Sequence, residues 1–108
     1  MDTTDTLLPA YLRQADIQMR LAALCRRHHI CKLAFFGSVL RSDFGSNSDI
    51  DVLVEFEPGE TPGFAFFAIQ DELAALLGRQ VDLHTPNSIS PYFRRQVQDT
   101  AYVQYSTR

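Results

Sequence analysis

Cysteine is scarce in this sequence: the two present, Cys25 and Cys31, are too few for a disulfide framework. A basic excess is missing as well. Ten Lys and Arg against thirteen Asp and Glu leave a net charge of −3 and a pI of about 5.5. Broad, non-specific nucleic-acid binding depends on a basic footprint and is not expected, although a small local basic patch is compatible with this balance. No apolar run approaches the length of a membrane span. The opening MDTTDTLLPAYLRQ lacks the basic start and long apolar middle of a signal peptide, so a cytoplasmic protein without membrane contact is expected. Internal repeats and low-complexity tracts are absent.

Chain length is also limited. A stretch of 108 residues, 45% hydrophobic, is expected to form one domain with a small core, spanning 1–108 with a loose polar leader over 1–10. It leaves no room for a second domain that would hold a second substrate. An enzyme of this size meets its second substrate on an open surface or receives it from a partner. The oligomeric state, homo- or hetero-, stays open.

Cys25, His28, His29 and Cys31 lie close together, but their spacing does not match C-x2-C paired with H-x3-H, and no second cluster completes a zinc site. Cys25 is expected to pack, and the histidines to end a helix.

Hydrophobic periodicity organises the rest. From about Tyr11 to His29, Leu12, Ala15, Met19, Ala22, Ala23 and Cys25 recur at helical spacing, with Asp16 early and Arg26-Arg27 late as the macrodipole favours. Ile30 to Phe36 is a short apolar run stopped by Gly37, which predicts a buried strand. Ser38 to Arg41 suits one helical turn, and Ser42 to Ser48 a loop. From Asp49 to Glu57 the residues alternate: Ile50, Val52, Val54 and Phe56 point one way, Asp49, Asp51, Leu53 and Glu55 the other. Phe64 to Leu77 predicts a helix with Phe66, Phe67, Ile69, Leu73, Leu76 and Leu77 available for a core and Gly78 as its stop. Gln80 to Thr85 predicts a third strand, Ser90-Pro91 opens a last helix to about Asp99, and Ala101 to Tyr105 suits a short strand. The order α-β-α-β-α-β-α(β) implies an α/β (α+β) fold, a small mixed β-sheet flanked by helices.

The stretch FFGSVLRSDFGSNSDIDVLVEF concentrates the chemistry. Asp49 and Asp51 sit two apart on the expected strand and so on one side of it, about 7 Å apart. Adjacent carboxylates raise each other's proton affinity unless a cation neutralises them. A hard divalent ion such as Mg²⁺ takes one or two carboxylates and then phosphate oxygens, which makes the pair a metal platform. Gly37-Ser38, between a buried strand and a helical turn, would let a phosphate approach free backbone N–H groups. Asp82, between the inward-facing Val81 and Leu83, points outward as the D-x-D pair does. Three carboxylates from two strands can hold two metals. Alone, a D-x-D is usually a solvated turn or cap, Gly-Ser a chain turn, and a lone Asp an edge-strand acid. The ordered set is far more specific.

With these residues in view, the stretch resembles the signature of the minimal nucleotidyltransferases of the DNA polymerase beta superfamily, roughly G-S-x-A-R-G, a variable loop, then S-D-x-D-hydrophobic. GRQVDLHTPNSISPYFRRQV is similar to that family's third-carboxylate strand and the segment after it. The resemblance implies the nucleotidyltransferase fold, Mg²⁺ (two ions) and ATP. It implies that Asp49, Asp51 and Asp82 bind metal and carry catalysis, with Asp82 as base, and that Gly37, Ser38, Arg41 and Ser48 bind nucleotide. Arg41 could contact phosphate or pair structurally with a loop carboxylate. Leu40 and Ser42 depart from the usual alanine and glycine. Stand-alone members of this size are often antitoxins of HEPN/MNT toxin–antitoxin pairs, which transfer AMP from ATP to a tyrosine hydroxyl of the HEPN-domain ribonuclease toxin. Such a partner is therefore expected here. Late aromatics (Tyr92, Phe93, Tyr102, Tyr105) with Arg94-Arg95 could form its docking surface, or simply pack. The alternatives are a non-catalytic module that binds nucleotide and covers the toxin, and a small-molecule, aminoglycoside-type nucleotidyltransferase.

Overall fold

The computed structural model describes residues 8–41, 45 and 47–107. Four strands form one mixed sheet: β1 (Ile30–Phe36), β2 (Ile50–Phe56), β3 (Val81–His84) and β4 (Tyr102–Ser106), in the order β3-β2-β1-β4. β1 runs antiparallel to both β2 and β4, and β2 runs parallel to β3. Three helices accompany them: α1 (Ala15–Arg27), α2 (Ala65–Leu77) and α3 (Pro91–Thr100). A parallel pair needs a crossover, and α2 provides it between β2 and β3. None of the described helices is long and apolar enough to cross a membrane.

The strand alternation translates directly into the core. Leu33 and Phe35 of β1 stand opposite Val54 and Val52 of β2, and Val81 and Leu83 of β3 stand beside Ile50 and Val52. All are buried and share a cluster with Leu21 and Leu24 of α1 and Ile69, Leu73 and Leu77 of α2. Each fully buried Leu or Phe contributes about 2 kcal/mol, so this one face anchors the sheet. The opposite face carries Phe36, Asp51, Asp82 and His84. It is not wholly polar: Leu53, expected among the outward residues, is 2% exposed, and it pairs with the buried Ala34.

Helix ends follow local chemistry. Asp16 lies in the first turn of α1 and Arg26-Arg27 in the last. His28 caps the helix, and His29 takes a left-handed φ of 58°. α2 stops at Gly78, whose φ of 68° forms the left-handed cap that glycine favours, with its N–H on the Ala74 carbonyl at 2.9 Å. Arg27 and His28 both reach Glu72, tying the end of α1 to α2.

Several sequence expectations need correction. The helix expected from Tyr11 breaks at Gln14, whose extended backbone separates a 3-10 turn (Ala10–Arg13) from α1. Leu8, placed in a loose leader, is buried at 1% exposure. Met19 is exposed, because the inward stripe of α1 is Ile17, Leu21, Leu24 and Cys25. Phe67 is likewise exposed, while Phe66 packs at the core edge. Of the late aromatics, for which docking and packing were both open, Tyr102 and Tyr105 pack against the core, while Tyr92 and Phe93 are exposed. Cys25 is buried, and burial pushes its thiol up to about 12. With His28 on Glu72 and Cys25 inside, those groups diverge.

Candidate active site

Asp51 and Asp82 are direct register partners across the parallel β2–β3 pair. Parallel neighbours point their side chains to the same face, so the two carboxylates stand side by side. The join is fixed by the hydrogen bond from the Ile50 N–H to the Gln80 carbonyl, 2.9 Å. Asp49 sits one residue before β2 rather than in it. Burial pushes the Asp51 carboxyl above its ordinary range. His84, with Nε2 3.7 Å from Oδ1, pulls it back, the Asp82 charge pushes it up, and Asp49 adds the weakest push. The carboxylate that acts more strongly on Asp51 is therefore Asp82, its register partner across the strands, and not Asp49 two residues before it.

Gly37 opens a single 3-10 turn (Gly37–Leu40) at the end of β1, with φ 75°. An added Cβ would overlap Oδ2 of Asp51, so any side chain here would have to push that carboxylate aside, in addition to straining the left-handed backbone that glycine favours. Ser38 donates its hydroxyl to the Asp49 carbonyl at 3.4 Å, joining the turn to the segment that carries the carboxylates. The N–H of Arg41 closes the turn on the Ser38 carbonyl at 3.0 Å. Leu40 packs partly against the core, which accommodates one departure from the motif. Ser42 lies outside the described residues. Gly37, Leu40 and Arg41 also line a cleft of about 570 Å³ between this turn and α3.

Ser48 is engaged in its own loop. Its hydroxyl accepts the Gly45 N–H at 3.2 Å, and its N–H returns to the Gly45 carbonyl at 3.1 Å. These bonds shape the loop that leads into Asp49.

Asp49, Asp51 and Asp82 are the groups that could hold a divalent cation. Among the described residues, no three His, Cys, Asp or Glu side chains stand close enough together to hold a metal ion, so the expected convergence of all three carboxylates is not seen, and only Asp51 and Asp82 are set side by side. An open set of hard oxygen donors suits Mg²⁺, which keeps waters and phosphate oxygens in its shell, better than an ion that needs a protein cage.

Residues 18–102 match the nucleotidyltransferase domain family. The chain belongs to that family. It is similar to the protein adenylyltransferase MntA of Thermococcus cleftensis, with 34% identity over 100 residues that cover 87% of this chain and 99% of that protein. A solved minimal nucleotidyltransferase superposes with a TM-score of 0.70 at 33% identity, covering 94% of each chain. A crystal structure of a toxin–antitoxin with AMP-PNP contains a chain that superposes with a TM-score of 0.68 at 25% identity, covering 84% of this chain and 74% of that one.

Two groups around the nucleotidyltransferase site carry no motif that would announce them. Arg79 reaches across from the turn between α2 and β3 to the loop before β2, donating to the Ser48 carbonyl at 3.2 Å and the Gly45 carbonyl at 2.7 Å. It thereby fixes the Asp49 approach relative to the strand that carries Asp82. His84 stands between Asp51 and Phe36, whose ring it meets edge-on at 5.3 Å. Strand alternation placed His84 on the carboxylate face, but its contact with Asp51 depends on the β2–β3 register. Arg94 donates to the Pro86 and Ile89 carbonyls at 2.7 and 3.2 Å, securing the start of α3.

Proposed function

We propose that this nucleotidyltransferase moves AMP from ATP to a hydroxyl, a tyrosine side chain, of a HEPN-domain toxin, and so acts as its antitoxin. The observation that carries this is the placement of Asp51 beside Asp82, with Asp49 adjacent, against the glycine turn. Support comes from the relative named protein adenylyltransferase and from the toxin–antitoxin neighbour with its nucleotide analogue.

Asp49 and Asp51 would hold Mg²⁺, with Asp82 completing the set. When bound, the ion offsets the clustered negative charge and polarises the phosphates. Gly37 leaves room for the phosphates to approach the backbone, Ser38, joined to the Asp49 carbonyl, would hold the triphosphate with it, and Arg41 flanks the phosphate side. Asp82 accepts the proton of the acceptor hydroxyl. The new bond forms between that oxygen and the α-phosphorus, the bond from the α-phosphorus to the bridging oxygen breaks, and pyrophosphate leaves with the bonding pair. Cytoplasmic residence belongs to the same proposal, because ATP and an intracellular ribonuclease toxin meet there.

The test is incubation with Mg²⁺, the toxin and ATP labelled at the α-phosphate. Label is expected on the toxin. No transfer, or transfer that persists in Asp49→Ala and Asp51→Ala, would sink the proposal. If Asp49→Ala still neutralised the toxin fully at native expression levels, a non-catalytic covering role would replace it.

A further inference from the structure

The cleft beside Gly37 has a composition that phosphate binding does not explain. One wall is the turn after β1, with Phe36, Leu40 and Arg41; the other is α3, with Phe93, Gln96, Val97 and Thr100. The four α3 residues fall at i, i+3, i+4 and i+7, a single face of the helix. Its volume of about 570 Å³ lies in the range of small-ligand sites, roughly 300–1,000 Å³.

α3 is held unlike the other helices. It buries no residue in the core, and Arg94 holds its first turn through backbone carbonyls. Its apolar face, including a Phe93 that is 60% exposed, is therefore turned to a gap rather than to packed side chains. Phe36, Leu40, Phe93 and Val97 make the gap suitable for a flat aromatic group. The Thr100 hydroxyl donates to the Gln96 carbonyl at 2.7 Å, so the Gln96 amide is the polar group on that wall with both a donor and an acceptor to offer. Such an amide pairs well with the edge of a nucleobase.

We propose that this cleft takes the nucleobase of the nucleoside triphosphate, with Phe93 as its stacking surface and Gln96 as its edge contact. Gly37 belongs both to the cleft and to the Asp51 contact, so base and triphosphate would occupy one continuous groove. The acceptor would then enter from the β3 side, where Asp82 stands. This inference rests on the nucleotide-dependent transfer proposed above.

The experiment compares binding of ATP and of inorganic tripolyphosphate to the full chain in Mg²⁺ by calorimetry. Wild type, Phe93→Ala and a cleft-filling Val97→Trp are measured, with thermal melts as a folding control. Loss of base stacking is expected to weaken ATP about tenfold in both variants, while tripolyphosphate binds all three proteins alike. Unchanged ATP affinity in the variants would overturn the inference and leave the carboxylate site standing. Equal weakening of both ligands would also overturn it, as would unchanged ATP affinity with reduced labelling of the toxin, which would make the cleft an acceptor surface. Failure of wild type to bind either ligand would remove both the inference and the reading beneath it.

Discussion

Gly37 lies so close to Asp51 that a Cβ on it would overlap the Asp51 carboxylate where it now stands. The glycine is thus part of the carboxylate site and not only a turn residue. Gly37→Ala is expected to cost about 1–2 kcal/mol from the left-handed backbone alone. Displacement of Asp51 should lower nucleotidyl transfer about a hundredfold, the scale of an ångström-sized misplacement. Thermal melts together with a label-transfer assay check both effects.

Asp51 also governs how stability responds to pH. Its carboxyl is raised above the ordinary value of 3.8, chiefly by burial. A raised acid binds its proton more tightly folded than unfolded, so stability falls as pH rises from 3.8 through the folded value. Asp51→Asn removes that loss. In chelator, its melting temperature is expected to match or exceed wild type at neutral pH and to lose the advantage in acid. Added Mg²⁺ should raise the wild-type midpoint and leave the variant nearly unmoved, because only an ion bound to the folded state shifts it.

Arg79 is expected to matter through geometry. Arg79→Ala loses two charge-assisted hydrogen bonds to carbonyls, worth about 1–2 kcal/mol in sum at this partly exposed site. It should raise the KM for ATP and lower transfer about tenfold. Lys cannot present a planar fork to two carbonyls, so Arg79→Lys is expected to recover stability better than activity. Steady-state kinetics of the two variants beside their melts separate these effects.

Glu72 offers a control far from the chemistry. Hydrogen bonding from Arg27, then from His28, holds its carboxyl below the ordinary 4.5. A depressed acid contributes stability that is present above 4.5 and lost as pH falls through the folded value. The side chain is 35% exposed, so Glu72→Gln is expected to cost only about 0.5 kcal/mol near neutrality. The difference from wild type should disappear in acid, as a pH series of thermal melts would show, with transfer unchanged.

Much of this was legible in one dimension. Alternation from Asp49 to Glu57 placed Asp51 outward and Val52 inward, and the same period in Val81-Asp82-Leu83 put Asp82 on the carboxylate face. Gly78 marked the end of α2 because a left-handed cap favours glycine. What escaped was decided through space. Parallel pairing makes Asp82, and not Asp49, the strongest carboxylate influence on Asp51. The Arg79 clamp joins a side chain to backbone carbonyls more than thirty residues away, which no spacing announces. The break at Gln14 was hidden because Leu12 and Leu21 are buried on either side of it, so the apolar pattern runs on while the backbone does not.

The most direct measurement of the central claim is the intact mass of the toxin after incubation with ATP, Mg²⁺ and this protein. The carboxylate platform predicts a mass increase of one or more AMP units on a tyrosine with wild type, and none with Asp51→Ala or Asp82→Ala. An unmodified toxin beside wild type, or the same increase with either variant, would contradict it.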